Sequence, residues 1–166
     1  MSANPISSQS PRQVPEAQPP EEGKQSELDI IVSKANGLAT RALAAYLQCK
    51  GTATSYDYYF SRYGLSSSDP HRVSESVRST LLDLDNLETQ RNVFETEKEA
   101  LVEEFASFDS VHHVTYISEN KQVDEFIKLI KEIEYNIFLL NKDLSVNICK
   151  FTQINNPHES SWCAIL

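Results

Sequence analysis

Three cysteines are the residues best suited to chemistry in this chain of 166 residues, because a thiolate is a strong nucleophile. Cys49, Cys149 and Cys163 lie far apart and lack the Cys/Cys and Cys/His spacings of a zinc site or a disulfide framework. Cys163 differs from the other two because the short aliphatic run Ala164–Leu166 follows it. A thiol in that setting can be alkylated to a thioether. The sequence therefore predicts that Cys163 is a site of covalent modification.

The last four residues, Cys163–Leu166 (Cys-Ala-Ile-Leu), resemble the CaaX box of prenylated proteins. A final leucine favours a geranylgeranyl over a farnesyl group. In that class a transferase zinc ion activates the thiolate while a pocket reads the aliphatic pair and the last residue. The resemblance implies S-geranylgeranyl cysteine at Cys163, removal of Ala164, Ile165 and Leu166, and a cysteine methyl ester.

A second membrane signal is expected, because one lipid chain often gives only reversible membrane binding. CaaX proteins usually add a polybasic stretch or an acylated cysteine, yet residues 151–162 contain no Lys or Arg. Palmitoylation of Cys149, homodimerisation that pairs two lipids, and assembly with an anchored partner are the candidates. Cys149 falls on an apolar helix face, where a buried structural thiol is the alternative to a lipid site.

The tail is also similar to that of heterotrimeric G-protein gamma subunits. The similarity consists of Asn156-Pro157, the aromatic Trp162 and the Cys-Ala-Ile-Leu end. It implies a signalling subunit whose lipid contributes to partner binding. Gamma subunits are short, with two helices and no long hairpin, so no residue that binds a beta subunit is carried over.

Composition argues against several other classes of protein. A net charge of −9 and a pI near 4.9 predict a surface that repels nucleic-acid phosphates and anionic lipid heads, so we expect no nucleic-acid binding and no membrane binding by net charge alone. The N-terminus lacks a secretory h-region and the glycine for myristoylation, and apolar runs such as Ile137–Leu140 are too short to span a bilayer. His112 and His113 are adjacent and point apart, and no GxSxG or P-loop occurs. We therefore expect no enzyme, no metal and no cofactor.

Residues 1–25 form a proline-rich segment that predicts a disordered tail, with polyproline recognition as the alternative. Ser26 begins a helical pattern, and Gly51 is the expected stop. The aromatic-rich segment 51–68 is interpreted as a connection that packs over the helix ends. The first helix should bury apolar and small residues spaced by three and four: Leu28, Ile31, Ala35, Leu38, Ala42 and Ala45.

Asp69-Pro70 predicts the start of a second helix that ends near Phe108. Arg91 and Lys98 interrupt its apolar stripe, and eight acidic residues between Asp83 and Glu104 give it an acidic surface. That surface is interpreted as solvated, with docking of a basic partner as the alternative. The stripe comprises Val73, Val77, Leu81, Leu84, Leu87, Phe94, Leu101, Phe105 and Phe108.

Residues 109–119 should break the helical run before a third helix over about 121–151. Its a/d seam predicts an oligomer or bundle interface. Asn147 continues the repeat, either as a register-setting polar residue or as a surface residue near a fraying end. Ile127, Leu129, Phe138, Leu139 and Ile148 widen the apolar face, as in a bundle. The seam consists of Val123, Phe126, Ile130, Ile133, Ile137, Leu140 and Leu144.

The predicted fold class is all-α: an elongated helical hairpin or coiled-coil bundle of about three helices. A disordered tail (1–25) precedes the helical domain (26–152), and a flexible linker with the CaaX box (153–166) follows it. The predicted function is that of a prenylated adaptor or complex subunit at the cytoplasmic face of a membrane, with a cytosolic pool. Its predicted partners are helical proteins or a second copy. A gamma-like signalling subunit and an unlipidated cytosolic subunit are the alternatives.

Overall fold

A computed structural model describes residues 22–63, 70–116 and 120–155, and these ranges contain three long α-helices and no strand. Helix α1 spans Glu22–Tyr63 (42 residues), α2 spans Pro70–His112 (43 residues) and α3 spans Lys121–Asn155 (35 residues). A single 3-10 turn, Val114–Tyr116, follows α2. Each helix packs against both others, so the predicted all-α bundle of three helices is confirmed.

Helices α1 and α3 run in the same direction. Gln122 at the start of α3 donates a hydrogen bond to Asp29 near the start of α1. Asn147, near the other end of α3, donates to the carbonyl of Cys49, which lies 20 residues further along α1. The two contacts fix the level of one helix against the other over about five turns.

Helix α2 runs antiparallel to its two neighbours. Lys34 of α1 forms an ion pair with Glu104 of α2, with the Lys34 Nζ 2.6 Å from a carboxylate oxygen. On the other side of α2, the ring of Phe105 stacks on that of Phe126 of α3, with centroids 4.3 Å apart. The bundle is therefore up-down-up, and α2 and α3 form the predicted antiparallel hairpin.

The core follows the apolar spacing of the sequence. All six predicted core residues of α1 are buried, and four alanines let its neighbours approach closely. In α2, six residues of the predicted stripe are buried and Leu81 and Phe105 are half-buried, while the side chain of Val73 lies outside the described part. The fully buried large side chains include Leu28, Ile31, Leu38, Leu84, Leu87, Ile133 and Leu140.

The predicted bounds of α1 were wrong at both ends. The helix begins at Glu22, inside the predicted tail, and it continues through Gly51 to Tyr63 instead of giving way to a connection. Nothing lies within 4 Å of a β-carbon built on Gly51, so neither a turn nor a close contact requires glycine there. The cost of about 1 kcal/mol for a helical glycine is small beside the burial of the turns that precede it. Residues 1–21 and 64–69 lie outside the described part.

The turn between α2 and α3 is built on Asp109. His113 adopts the left-handed conformation (φ 54°), and its N–H donates to the carbonyl of Asp109 at 2.7 Å. The Asp109 carboxylate accepts the N–H of Thr115 at 2.9 Å and its hydroxyl at 2.8 Å. The predicted break in the helix is thus confirmed, but α2 ends at His112 instead of near Phe108.

The hydrogen bonds from Thr115 hold the pKa of the Asp109 carboxyl below its usual range. A lowered pKa in the folded state stabilises the fold above the unfolded pKa, and that stability is lost as the pH falls below about 4. We expect Asp109→Asn to make the free energy of unfolding fall less steeply with decreasing pH in that range. Urea titrations from pH 7 to 3 measure this slope. Asp83→Asn, an exposed carboxylate of α2, is the control, and equal slopes for the two variants would contradict the prediction.

Candidate functional site

The predicted lipidation site and the second candidate cysteine differ in what the structure describes. Cys163 and Ala164–Leu166 lie outside the described residues, so prenylation there stays a prediction. Cys149 is half-buried on α3, two turns before the end of that helix. Its sulfur is disulfide-bonded in this structure, and its predicted role as a lipid site, which requires the reduced thiol, stays a prediction.

The predicted seam of α3 lies inside the chain's own bundle. Six of its seven side chains are buried and Ile130 is half-buried, with Ile133 and Leu140 at 0% exposure. These side chains pack in the common core of the three helices, although the oligomeric role predicted for them is untested. A partner that binds this folded bundle has to contact other faces.

Asn147 is a buried polar link between α3 and α1. Its side chain is only 2% exposed, and its amide donates to the carbonyl oxygen of Cys49 at 3.2 Å and to the sulfur at 3.5 Å. The interpretation of Asn147 as a surface residue is therefore wrong, since its amide links α3 to α1 at the position of Cys49. Burial raises the pKa of the Cys49 thiol, so this thiol is a poor nucleophile in the folded protein.

The two cations that interrupt the stripe of α2 are both held by polar partners. Arg91 is half-buried and donates to the side-chain oxygen of Asn141 of α3 at 2.8 Å. Lys98 donates to Glu95 at 2.8 Å, and this bond raises the pKa of its ammonium group. The Arg91 Nε and the Asn136 Nδ2 are buried without a hydrogen-bond partner among the described residues. The middle of the bundle therefore contains polar groups among its apolar side chains.

The histidines and carboxylates form no evident reaction centre in the described ranges. No group of three or more His, Cys, Asp or Glu side chains there could hold a metal ion. His112 packs on the ring of Phe108 with centroids 4.6 Å apart, and His113 is exposed in the turn. No helix among the described residues is both long and apolar enough to cross a bilayer.

The outer side of the α1–α2 pair is an open groove crossed by ion pairs. Arg41 forms an ion pair with Glu97, and Lys34 pairs with Glu104 about two turns of each helix away. All four side chains are well exposed, so each pair contributes no more than about 1 kcal/mol to stability. The Arg41 guanidinium also lies 5.8 Å from the centre of the Phe94 ring. Polar contacts therefore bridge α1 and α2 across this groove.

Charge is distributed unevenly over the three helices. Helix α2 carries ten carboxylates against four cationic side chains, whereas α3 carries five of each and α1 has a slight excess of cations. The predicted acidic surface therefore belongs to α2. The described bundle has one strongly acidic helix and two nearly neutral ones.

The side of α3 that points away from the other helices carries an exposed stripe of mixed apolar and basic residues. We call it the outer stripe. Its apolar members are 42% to 62% exposed, and Lys131 and Lys142 stand between them. The members follow one another at three- and four-residue steps: Ile127, Lys131, Tyr135, Phe138, Lys142 and Val146.

Sequence reasoning missed the outer stripe because it assigned Ile127 and Phe138 to a widened core face. The structure buries Leu129 on that face and half-buries Leu139 and Ile148, but it leaves Ile127 and Phe138 exposed. The signal was present in the regular spacing of lysines with aromatic and aliphatic residues. It was hidden because apolar residues occupy about two thirds of the positions of α3 outside the lysines and carboxylates, on every side of the helix.

These features define a three-helix bundle with a polar centre, one acidic helix and one exposed apolar–basic stripe. Comparisons of the chain with protein-family models, with curated proteins and with solved structures find no match.

Proposed function

We propose that this protein is a lipid-anchored adaptor or complex subunit, in which a geranylgeranyl group on Cys163 holds the three-helix bundle at the cytoplasmic face of a membrane. The observation that carries the proposal is the run Cys163–Leu166, with a thiol, two aliphatic residues and a leucine in the order a geranylgeranyltransferase reads. The polar residues 155–161 before it give the box access to such an enzyme.

The bundle supports a binding role for the part of the protein that the lipid would carry. Helix α2, with 43 residues, is about 65 Å long, so the bundle offers extended helical faces on which helical partners or a second copy can bind. A single lipid chain gives reversible membrane binding, so the proposal includes a cytosolic pool.

A gamma-like signalling subunit is the second candidate, favoured by Asn156-Pro157 and Trp162 ahead of the box. Three helices of 35 residues or more differ from the two short helices of gamma subunits. Co-purification with a propeller-like beta subunit would promote this candidate over the adaptor.

The decisive test is transfer of the isoprenoid to the purified full-length chain. With geranylgeranyl diphosphate and the transferase, the Cys163 sulfur should form a thioether with the isoprenoid, while diphosphate leaves and the thiol loses its proton. Intact-mass measurement should show one added geranylgeranyl group in the wild type and none in Cys163→Ser. Leu166→Ser should shift the preference to a farnesyl group, which is one isoprene unit shorter.

The same measurement on protein from its own cells tests the modification where it matters. We expect a chain that ends at a methylated, geranylgeranylated Cys163. A chain that continues past Leu166, or that ends there without lipid, would overturn the proposal and leave an unlipidated helical subunit.

A further inference from the structure

The outer stripe is an unusual surface for a helix that faces solvent. Ile127 is 42% exposed, Val146 48%, Tyr135 61% and Phe138 62%. They lie on one side of α3 over about 29 Å, since 19 residues separate the first from the last. Large apolar side chains scattered singly are normal on a surface, but a regular row along one helix marks an interaction face.

The charges on this side of α3 are mostly positive. Lys131 and Lys142 belong to the stripe, and Lys121 and Lys128 lie beside it at 100° per residue. Two acids lie on the same side, Asp124 and Glu134, so four lysines stand against two carboxylates. All four lysines are exposed, and none forms an ion pair with another residue of the described ranges. The face is therefore cationic although the whole chain carries a net charge of −9.

The combination of chemistry suits the head-group region of an anionic bilayer. Lysine stems cover apolar surface while their ammonium groups reach phosphates, and tyrosine places its ring at the membrane interface with its hydroxyl in water. Apolar side chains on a helix that lies in the plane of the interface enter the outer edge of the acyl region. The outer stripe supplies these three kinds of side chain together.

A second copy of the chain fits the outer stripe less well. A two-fold contact through this stripe would oppose lysines with lysines, which is unfavourable. A two-fold contact that pairs α3 of each copy with α2 of the other would need both surfaces in one patch, whereas the outer stripe faces away from α2. Other contacts of the outer stripe with α2 are head-to-tail and extend into filaments unless the rotation closes. The charges favour a lipid surface as the occupant.

The acidic α2 does not prevent such a contact. Neighbouring helix axes in a bundle lie about 8–10 Å apart, and the outer stripe faces away from both other helices. The outer carboxylates of α2 are thus more than a Debye length from a surface that touches the stripe, because that length is about 8 Å at physiological salt. Their repulsion is largely screened, while the lysines act at contact.

We propose that the outer stripe of α3 lies flat on an anionic membrane and supplies the second membrane signal that one geranylgeranyl group requires. The inference rests on the proposed anchoring at Cys163. Eight residues lead from Asn155 at the end of α3 to Cys163, a length that reaches at most about 28 Å. The lipid can therefore insert beside a helix that lies in the membrane plane.

Flotation of the enzymatically geranylgeranylated full-length protein with vesicles tests the proposal. Vesicles of phosphatidylcholine alone are compared with vesicles that contain phosphatidylserine. We expect binding to the anionic vesicles to be at least about tenfold tighter at low salt, and this difference should shrink as salt is added. Equal affinity for the two vesicles would overturn the proposal.

Paired charge reversals locate the effect. Lys131→Glu/Lys142→Glu should lower affinity for anionic vesicles by about thirtyfold and leave affinity for neutral vesicles unchanged. Arg72→Glu/Arg78→Glu on α2 changes the net charge equally and should have an effect of less than about threefold. Circular dichroism confirms that each variant is folded. Equal losses in the two variants would mean that net charge, and not the outer stripe, governs binding.

Two substitutions of exposed apolar residues test whether the outer stripe enters the apolar part of the bilayer. Phe138→Ser should weaken binding to both kinds of vesicle by about fivefold to tenfold, whereas Leu82→Ser should not. The two residues are equally exposed at 62%, but Leu82 lies on α2. If the lysine reversals instead dissolve a dimer in light scattering and leave vesicle binding intact, the outer stripe is a self-association surface and the membrane contact is wrong.

The outcomes separate this inference from the proposed anchoring. The vesicle assays use lipid added in vitro, so they report on the outer stripe whether or not cells modify Cys163. Absence of the lipid in cells would end the proposed function but leave the vesicle result standing. A lipidated protein that shows no anionic preference would retain the function and lose the inference.

Discussion

Leu140→Ala should lower the free energy of unfolding by about 3 kcal/mol, one of the largest single effects expected in this protein. Leu140 is fully buried on α3, in the core that α1 and α2 close around it. Alanine removes three buried carbon atoms, and neighbours on rigid helices can fill the resulting space only in part. Urea unfolding followed by circular dichroism measures the change in the midpoint.

Leu82→Ala is the matched control, because the same atoms are removed from a leucine that is 62% exposed on α2. Its effect should stay within about 0.5 kcal/mol. If both variants lose the same small amount of stability, the seam of α3 is not buried within a single chain. If Leu140→Ala also dissociates an oligomer, the seam serves an interface between chains, as the sequence pattern alone would allow.

The pattern of apolar residues was enough to predict the bundle. Spacing by three and four residues identified the buried face of each helix, because helix geometry ties that spacing to one side. It could not say which chain would cover the face. A heptad seam such as that of Ile133 and Ile137 looks the same in a homodimer and in an intramolecular bundle, and only the packing of α1 and α2 decides between them.

The bounds of the helices were harder to predict, for a physical reason. Gly51 is a weak helix former, but a helix already stabilised by packing tolerates the cost, so α1 passes through it. Helix α2 ends where His113 adopts a left-handed conformation and the Asp109 carboxylate accepts two hydrogen bonds from Thr115, a contact between residues six apart that no single residue type announces. Pro70 was easier, because proline has a definite preference for the first turn of a helix and stands there.

The proposed functional features divide in the same way, into one that a short sequence segment predicts and one that depends on the packing of the helices. The thiol of Cys163 is predicted from four adjacent residues, since a transferase reads a short linear segment. The outer stripe depends on which side of α3 remains uncovered, and that follows from the positions of α1 and α2. A polybasic stretch next to the box is absent from residues 151–162, and basic residues on a folded face escape a linear search.

Cys163→Ser should abolish stable membrane association in cells, the largest functional effect expected. Serine cannot form the thioether, and each methylene of a buried lipid chain contributes about 0.8 kcal/mol to membrane binding. The outer stripe alone should leave weak, salt-sensitive binding. Fractionation of wild type and variant at low and high salt measures both contributions.

Cys149→Ser is the control, and it also tests whether Cys149 carries a second lipid. It makes the same chemical change on α3, outside the box, so membrane association should equal that of the wild type if geranylgeranyl and the outer stripe suffice. A partial loss, together with a palmitoyl mass that the wild type carries and the variant lacks, would identify Cys149 as a second lipid site. A Cys163→Ser variant that fractionates like the wild type would remove the lipid from the account, because serine at this position cannot form the thioether.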